Sequence, residues 1–536
     1  MTVGRYSVLS LGTDDTGKAE QAFAESELTW GKTGVSAALY IDQAQKLQVQ
    51  GGILLDGTKT AASAEANKAS FADGSLLIVN GSGIGTSGTA ALTGGSGSTL
   101  TVNQGAKLYL TSTNAGTYTI AKGFANTTID GWSWSADAAA VDVSVNKLSE
   151  IEKIEKNTAD GDFTVTVRQT DVQKKYDGIA LPNILQAMDQ SRTEYAGIKY
   201  LTDLANDNKL DKEGFIAAVN SFAQGAENNG ATRTGALAAL DLGTAAQEHL
   251  SLAKAAAEQS GGFGKAAVDT ADNGSIWAQY IHNKDKVDNM GGVSYDGQYN
   301  GVIIGGDFAD RGKYSSGIAF SYGSGDSTGS ASKNEFDIWG LSYYGGIQNG
   351  DTNLIFDVGY SKTSSDVKGV IKAEPDTQVI SMGIKGEKLI SNGHGTSYVP
   401  YAGLRYMNID TDSYNGSIDG KTAAHYSTDK ADLWLLPVGI SISHESVTAS
   451  GWKVRPTADI AYVWTLGDKN TAMDITVPGV NATDRLGYDI MDSGFFVGKL
   501  GLEAEKGDWT YGLGYACQKG SHAQNSKFML NVTYSF

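Results

Sequence analysis

From about residue 275 to the C-terminus, apolar and aromatic residues alternate with Gly, Ser, Thr and charged residues at a period of two, which predicts strands with one greasy face. In the last stretch Phe528, Leu530, Val532, Tyr534 and Phe536 share one face, and Met529, Asn531, Thr533 and Ser535 the other. The same reading opposes Phe496, Leu500, Leu502 and Ala504 to Lys499, Gly501 and Glu503. It also opposes Val454, Pro456, Ala458, Ile460 and Tyr462 to Arg455, Thr457 and Asp459. Twelve strands are predicted, beginning near Ser275, Tyr299, Tyr314, Glu335, Asp351, Thr377, Ser397, Ala431, Gly451, Gly494, Asp508 and Lys527.

Alternation alone admits two arrangements: a soluble sheet packed on an apolar core, or a barrel whose apolar face meets lipid. Three features favour the barrel. Of the 25 tyrosines, 18 follow residue 274, as expected of aromatic girdles at two lipid interfaces. Short connections such as Asn349-Gly350-Asp351 and Lys506-Gly507-Asp508 alternate with longer polar ones at 411–430 and 468–492. The chain also ends on an aromatic, Phe536.

Two other patterns precede this one. Up to about residue 175 the segments 41–49 (IDQAQKLQV), 71–79 (FADGSLLIV) and 102–110 (VNQGAKLYL) superpose at offsets of 30 and 31 residues. Each copy is an apolar residue, a small-residue turn and a short strand. A unit that short cannot bury its apolar side alone, so stacking into a parallel β-helix is predicted, with a loose β-sandwich as the alternative. Between 176 and 273 the pattern turns helical at 184–188, at 215–219 and over the Ala-rich 244–259, before Gly261-Gly262. The predicted organisation is therefore a β-helical region at 1–175, a helical linker at 176–273 that includes a barrel-threading helix at 231–260, and a barrel at 274–536. An interior of twelve strands is wider than wall side chains fill, and a helix of mostly Ala and Ser fits it where large side chains would not.

Composition narrows the function classes. The sequence has 42 Lys+Arg against 60 Asp+Glu, a net charge of −18 that opposes binding to nucleic acid. One cysteine, Cys517, excludes an intrachain disulfide and a cysteine-built zinc site, and no histidine lies four residues from another. No cofactor or metal is expected. No run of eighteen apolar residues occurs, so a helical membrane protein is excluded and a β-barrel is not. The first thirty residues lack the features of a secretory signal.

Six segments in this order resemble a classical autotransporter, the type V secretion proteins of Gram-negative bacteria. They are 245–252 (AAQEHLSL) ahead of 275–280 (SIWAQY), Gly305-Gly306-Asp307, 400–406 (PYAGLRY), 455–462 (RPTADIAY) and 532–536 (VTYSF). The resemblance covers about 220–536 well and the first 175 residues by architecture only. It implies an all-β fold: a 12-stranded transmembrane β-barrel in the outer membrane with a luminal α-helix, preceded by a β-helical passenger at the cell surface. The implied partners are outer-membrane lipid, periplasmic chaperones, the outer-membrane barrel assembly machinery, and host or neighbouring-cell surface ligands. The face of Phe528, Leu530, Val532, Tyr534 and Phe536 would serve as the assembly signal. Because the family's precursors carry a signal sequence, the expectation is a fragment or a misassigned start, with more β-helix upstream.

The main function expected is export and display of an adhesin-like passenger, with no enzyme activity. Asp307, Arg405, Arg455, Asp459, Lys499 and Glu503 are expected to face the lumen as structural charges. One alternative is self-cleavage. The stretch 228–237 (NNGATRTGAL) resembles the segment at which some autotransporters release their passengers, with Asn228 as the nucleophile, Asn229 after it, and Asp307, Asp357 or Asp459 as activator. Its rival is an ordinary polar loop at a helix start. A lost passenger enzyme and a diffusion porin are the remaining alternatives. Two further patterns fail on context: 83–88 (GIGTSG) lacks a following helix, and 325–329 (GDSTG) falls in an expected barrel loop.

Overall fold

The computed structural model describes short strands between residues 7 and 55, and then 68–94, 98–135, 142–157, 161–254, 274–308, 313–392 and 395–536. The chain forms two compact units, Met1–Asn220 with Val477–Asp484, and Ser221–Thr476 with Arg485–Phe536. The boundary falls inside the helix Lys212–Gln224, so the segment 176–273 is not a unit of its own.

In the first unit, strands pair in parallel with the strand three places further along, which builds three sheets. Ile41 lies beside Phe71 and Phe71 beside Val102, while Val49 lies beside Val79 and Val79 beside Leu110. These are the positions that the 30- and 31-residue repeat aligns. Phe71, Leu77, Val79, Leu100, Val102 and Leu108 stack into one continuous core. Trp132 is wedged into it, with ring centroids 5.1 Å from Phe71 and 5.2 Å from Phe163. The parallel winding stops before residue 175, because Asp162–Gln169 runs antiparallel to both Ser149–Asn157 and Gly116–Lys122. The helices predicted near 184 and 215 are Pro182–Ala187 and Lys212–Gln224. A further helix, Ala196–Asn206, is absent from the sequence reading; its buried Ile198, Leu201, Thr202 and Ala205 follow helical spacing.

The second unit is a closed antiparallel barrel of twelve long strands. They are β1 (Ser275–Met290), β2 (Val293–Asp307), β3 (Tyr314–Gly329), β4 (Ser332–Asn349), β5 (Thr352–Gly369) and β6 (Asp376–Lys388), then β7 (Thr396–Thr411), β8 (Ala431–His444), β9 (Lys453–Gly467), β10 (Gly494–Lys506), β11 (Trp509–Lys519) and β12 (Ala523–Ser535). Closure is antiparallel between β1 and β12, from Ser275 opposite Ser535 to Val287 opposite Ala523. Tight turns at Gly350 and Gly507, both with φ near +60°, sit at the end that holds Ser275 and Ser535. The long connections at the other end carry hairpin strands of their own, including Tyr414–Ile418 and Lys421–Thr428.

Exposure settles which face is which. Leu500 is 65% exposed, Phe496 61% and Ile460 61%, while Arg405 is 4% and Arg455 6% exposed. A water-soluble sheet has the opposite arrangement. This wall buries its charges and turns hydrocarbon outward, as a strand-spanned membrane requires. Outward aromatics pair in two bands: Trp339 with Tyr360 and Tyr406 with Trp434 toward the long-loop end, and Trp509 with Tyr534 toward the short-turn end. Among the described residues no helix is long and apolar enough to cross a membrane.

Candidate functional site

The site is the barrel interior, and one helix, Ala231–His249, occupies it. The helix starts after Gly230, whose φ of +65° is open to glycine and whose missing side chain leaves room for the Tyr295 ring. Small residues set its distance from the wall. A methyl group on Gly235 would meet Thr377, and one on Gly243 would collide with the Arg405 guanidinium. Its apolar stripe, Ala238, Leu242, Ala245, Ala246 and Leu250, packs on inward Ile281, Ile303, Phe336, Ile338 and Tyr344. Glycines on the wall make room in the same way, since the Trp277 ring lies over Gly305.

Two expectations need correction. The threading helix predicted over 231–260 ends at His249, and residues 255–260 lie outside the described residues. It ends there because the wall takes over the terminal backbone groups. Asn353 Nδ2 donates to the Leu250 carbonyl (2.9 Å), and the Glu387 carboxylate accepts from Leu252 N–H (2.8 Å) and Ser251 Oγ (2.7 Å). Large side chains also fit in the lumen. Arg233 reaches across to β1 and donates from Nε and Nη2 to the two Asp285 oxygens (2.9 and 3.0 Å) and from Nη1 to the Ile490 carbonyl (3.0 Å).

A ladder of polar pairs follows down the helix. Asp241 accepts from Asn283 (3.0 Å), from Tyr299 and from Lys527. Glu248 pairs with Lys499. His249 stacks on Trp277 at 4.9 Å and contacts Asp307 at 2.7 Å; Asp307 also accepts from Tyr344 (2.7 Å) and Ser275. Buried charges of this kind contribute little net stability, yet each is costly to leave unpaired. Together they fix one axial and one rotational setting of the helix.

The six expected lumen charges all lie on the inner face. Arg405 makes a bidentate pair with Asp357 (2.8 Å to each oxygen), and Arg455 bridges Glu445 (2.7 Å) and Glu503 (3.3 Å). Asp459 accepts from Tyr401 (3.0 Å) and Ser441, and Lys499 and Asp307 bind helix residues as above. On β12, Phe528, Leu530 and Phe536 are exposed and Val532 and Tyr534 half-buried, all on the outer side.

Asn228 and Asn229 are buried in a 3-10 turn, Gly225–Asn229, and tie it to the β3–β4 hairpin. Asn228 Nδ2 donates to Gln224 (2.6 Å), and Asn229 Oδ1 accepts from Gly329 N–H (2.9 Å). The candidate activators are elsewhere. Asp307 sits at His249, about 27 Å along the helix from Ala231 at about 1.5 Å per residue, and Asp357 and Asp459 hold other partners. Ser327 is not in a loop as expected: it lies in β3, two residues before its end at Gly329, and donates to the Asn229 carbonyl (3.0 Å). The 83–88 stretch straddles a single helical turn, Gly81–Ile84.

The sequence reading missed Arg233, Asp241, Asp285, Glu387 and Lys527. For Lys527 the signal was present, since it shares the parity of Met529 and Asn531. Among the described residues no cluster of His, Cys, Asp and Glu has the arrangement of a metal site.

Comparison with known proteins bears on the barrel. Residues 276–516 match the autotransporter beta-domain family. Similar solved structures include the translocator domain of autotransporter NalP from Neisseria meningitidis, at 14% identity over 55% of this chain and 94% of that one, with a TM-score of 0.41. The beta domain of the Bordetella autotransporter Brka aligns at 16% identity over 49% of this chain and all of that one, TM-score 0.40. The transport unit of AIDA-I from Escherichia coli aligns at 16% identity over 49% and 90%, TM-score 0.38. No curated protein matches the chain in sequence. The closed twelve-stranded wall, the lipid-facing apolar residues and the helix held in the lumen agree with the family match: residues 276–516 carry an autotransporter β-domain, the barrel of an outer-membrane protein of Gram-negative bacteria.

Proposed function

We propose that this barrel exports and anchors its own N-terminal region, and that residues 1–175 are a β-helical, adhesin-like passenger displayed at the cell surface. The observation that carries the reading is the path of the chain. It enters the barrel at the long-loop end as the helix Ala231–His249 and reaches β1 at the short-turn end, so the backbone just before the helix emerges at the long-loop end. The repeat supports the passenger role, because stacked rungs give a long, regular surface for contact. Adhesion itself rests on analogy of architecture.

The test is protease shaving of intact cells that produce the full chain. Loss of an N-terminal epitope with the barrel protected supports display, and a protected N-terminal region overturns it. Adhesion is read separately, as retention of those cells on host or neighbouring-cell surfaces against cells that produce residues 220–536 alone. Self-cleavage stays as the second reading because Asn228 and Asn229 are buried inside the barrel. A mature N-terminus at Asn229 in outer membranes supports it, and an intact chain across the pair rejects it.

A further inference from the structure

The apolar strip on the outside of the barrel is not equally tall all round. On β9 apolar side chains face out at every second residue from Pro456 to Leu466. On β1 the strip stops after Ile276, Ala278 and Tyr280, and His282, Lys284 and Lys286 continue the same face. Strands rise about 3.3 Å per residue and tilt by about 40° in such barrels. Lys286, ten residues beyond Ile276, therefore stands roughly 25 Å above it, about the full height of the hydrocarbon layer. Lys284 lies one step lower. Both side chains thus belong to the membrane interface at the long-loop end.

Their neighbours extend the patch across the seam. Lys286 faces Gln524 on β12, and Gln524 faces Lys519 on β11, whose strand lies about 10 Å from β1. Lys284 faces Ser526. Just below, Tyr280, Phe528 and Tyr515 present exposed rings. Other lysines toward the long-loop end are neutralised: Lys333 by Glu335, Lys362 by Asp376, Lys368 by Asp366 and Lys430 by Asp410. Lys284, Lys286 and Lys519 have no ion pair among the described residues, although Asp296 lies opposite Lys286 on β2. Asp288, next along the face of β1, accepts from Ser294 (3.5 Å) instead. In a chain of net charge −18, three unneutralised ammoniums above a shortened apolar strip call for an anion from outside.

We propose that β11, β12 and β1 carry a binding surface for the phosphorylated glycolipid of the outer leaflet. Lys284, Lys286 and Lys519 take its phosphates, Ser526 and Gln524 donate to them, and the rings of Tyr280, Phe528 and Tyr515 take its acyl chains. Such a lipid satisfies the charged and the apolar half of the surface at once, which a free phosphate does not. Because the surface spans the β1–β12 seam, its occupant also ties the closing strands together. The proposal is independent of what residues 1–175 do.

The test is native mass spectrometry of the full chain, refolded into phosphatidylcholine vesicles that contain lipid A with both phosphates and then extracted in mild detergent. Heat-modifiable migration checks that each variant is folded. Wild type is expected to retain lipid A, and the double variant Lys284→Gln with Lys286→Gln to retain roughly tenfold less. Lys519→Gln should lower retention about threefold, and Asp296→Asn should raise it. Lys333→Gln, which removes a lysine already paired with Glu335, should leave it unchanged. Lipid A stripped of its phosphates should be lost from wild type as lipid A is from the double variant. Equal retention by wild type and the double variant overturns the proposal. So does retention of phosphatidylglycerol as strong as that of lipid A, which marks a surface for any anionic lipid. If the double variant does not fold, Lys519→Gln and the dephosphorylated lipid decide the question.

Discussion

The N-terminal coil and the C-terminal barrel are both built from alternating strands, and they bury opposite halves of the alternation. In the coil Leu77, Val79 and Leu100 are sealed inside. In the barrel Leu500 and Ile460 face outward, and Arg405, Asp357 and Arg455 are the buried residues. Strand geometry cannot account for the inversion, since both obey a period of two. The surroundings account for it: water outside the coil drives hydrocarbon inward, whereas lipid outside the barrel leaves water and charge with only the lumen.

Substitutions that reverse one region and not the other sharpen this contrast. The largest effect is expected from Trp132→Ala, which removes a fully buried ring between Phe71 and Phe163 and should cost about 4 kcal/mol in urea unfolding of the coil, with the barrel's heat-modifiable migration unchanged. Next, Arg405→Ala should destabilise the barrel by about 3 kcal/mol, because it strands the buried Asp357. The double change Arg405→Leu with Asp357→Leu should recover most of that loss, whereas a purely apolar core would show no such recovery. The smallest effect is expected from Leu500→Arg, about 2 kcal/mol in refolding into lipid vesicles, since the residue sits midway along β10 and faces lipid. A Leu500→Arg variant that refolds as well as wild type would break the contrast.

Much of this was legible in the sequence, and for local reasons. Side-chain parity in a strand is fixed by covalent geometry, so the strand starts at Ser275, Tyr314 and Gly494 could be read directly, and even the poorest, Tyr299, lies within β2. The repeat register was legible because stacked rungs must match apolar to apolar. Less legible was whatever depended on a partner far along the chain. The luminal helix starts at the expected residue 231, but its two interior glycines, Gly235 and Gly243, are poor helix formers whose presence is explained only by the close approach of Thr377 and Arg405. Its end is set by Asn353 and Glu387 on the wall, which no helix pattern encodes. The Arg233–Asp285 pair joins residues 52 positions apart, and composition offers no hint of which carboxylate an arginine will choose.

The seam between β1 and β12 has a kinetic consequence. Ser275 and Ser535 meet as neighbours although 260 residues separate them, so the ring's last hydrogen bonds belong to its most distant contacts. High contact order makes such a step slow, and until it is taken both margins offer unpaired amides to any other strand. No shortened ring can serve as a resting stage, because every earlier intermediate is an open sheet in a solvent that punishes open sheets. Maturation should therefore be limited by zipping this one seam, and anything that hastens it acts as a catalyst of closure.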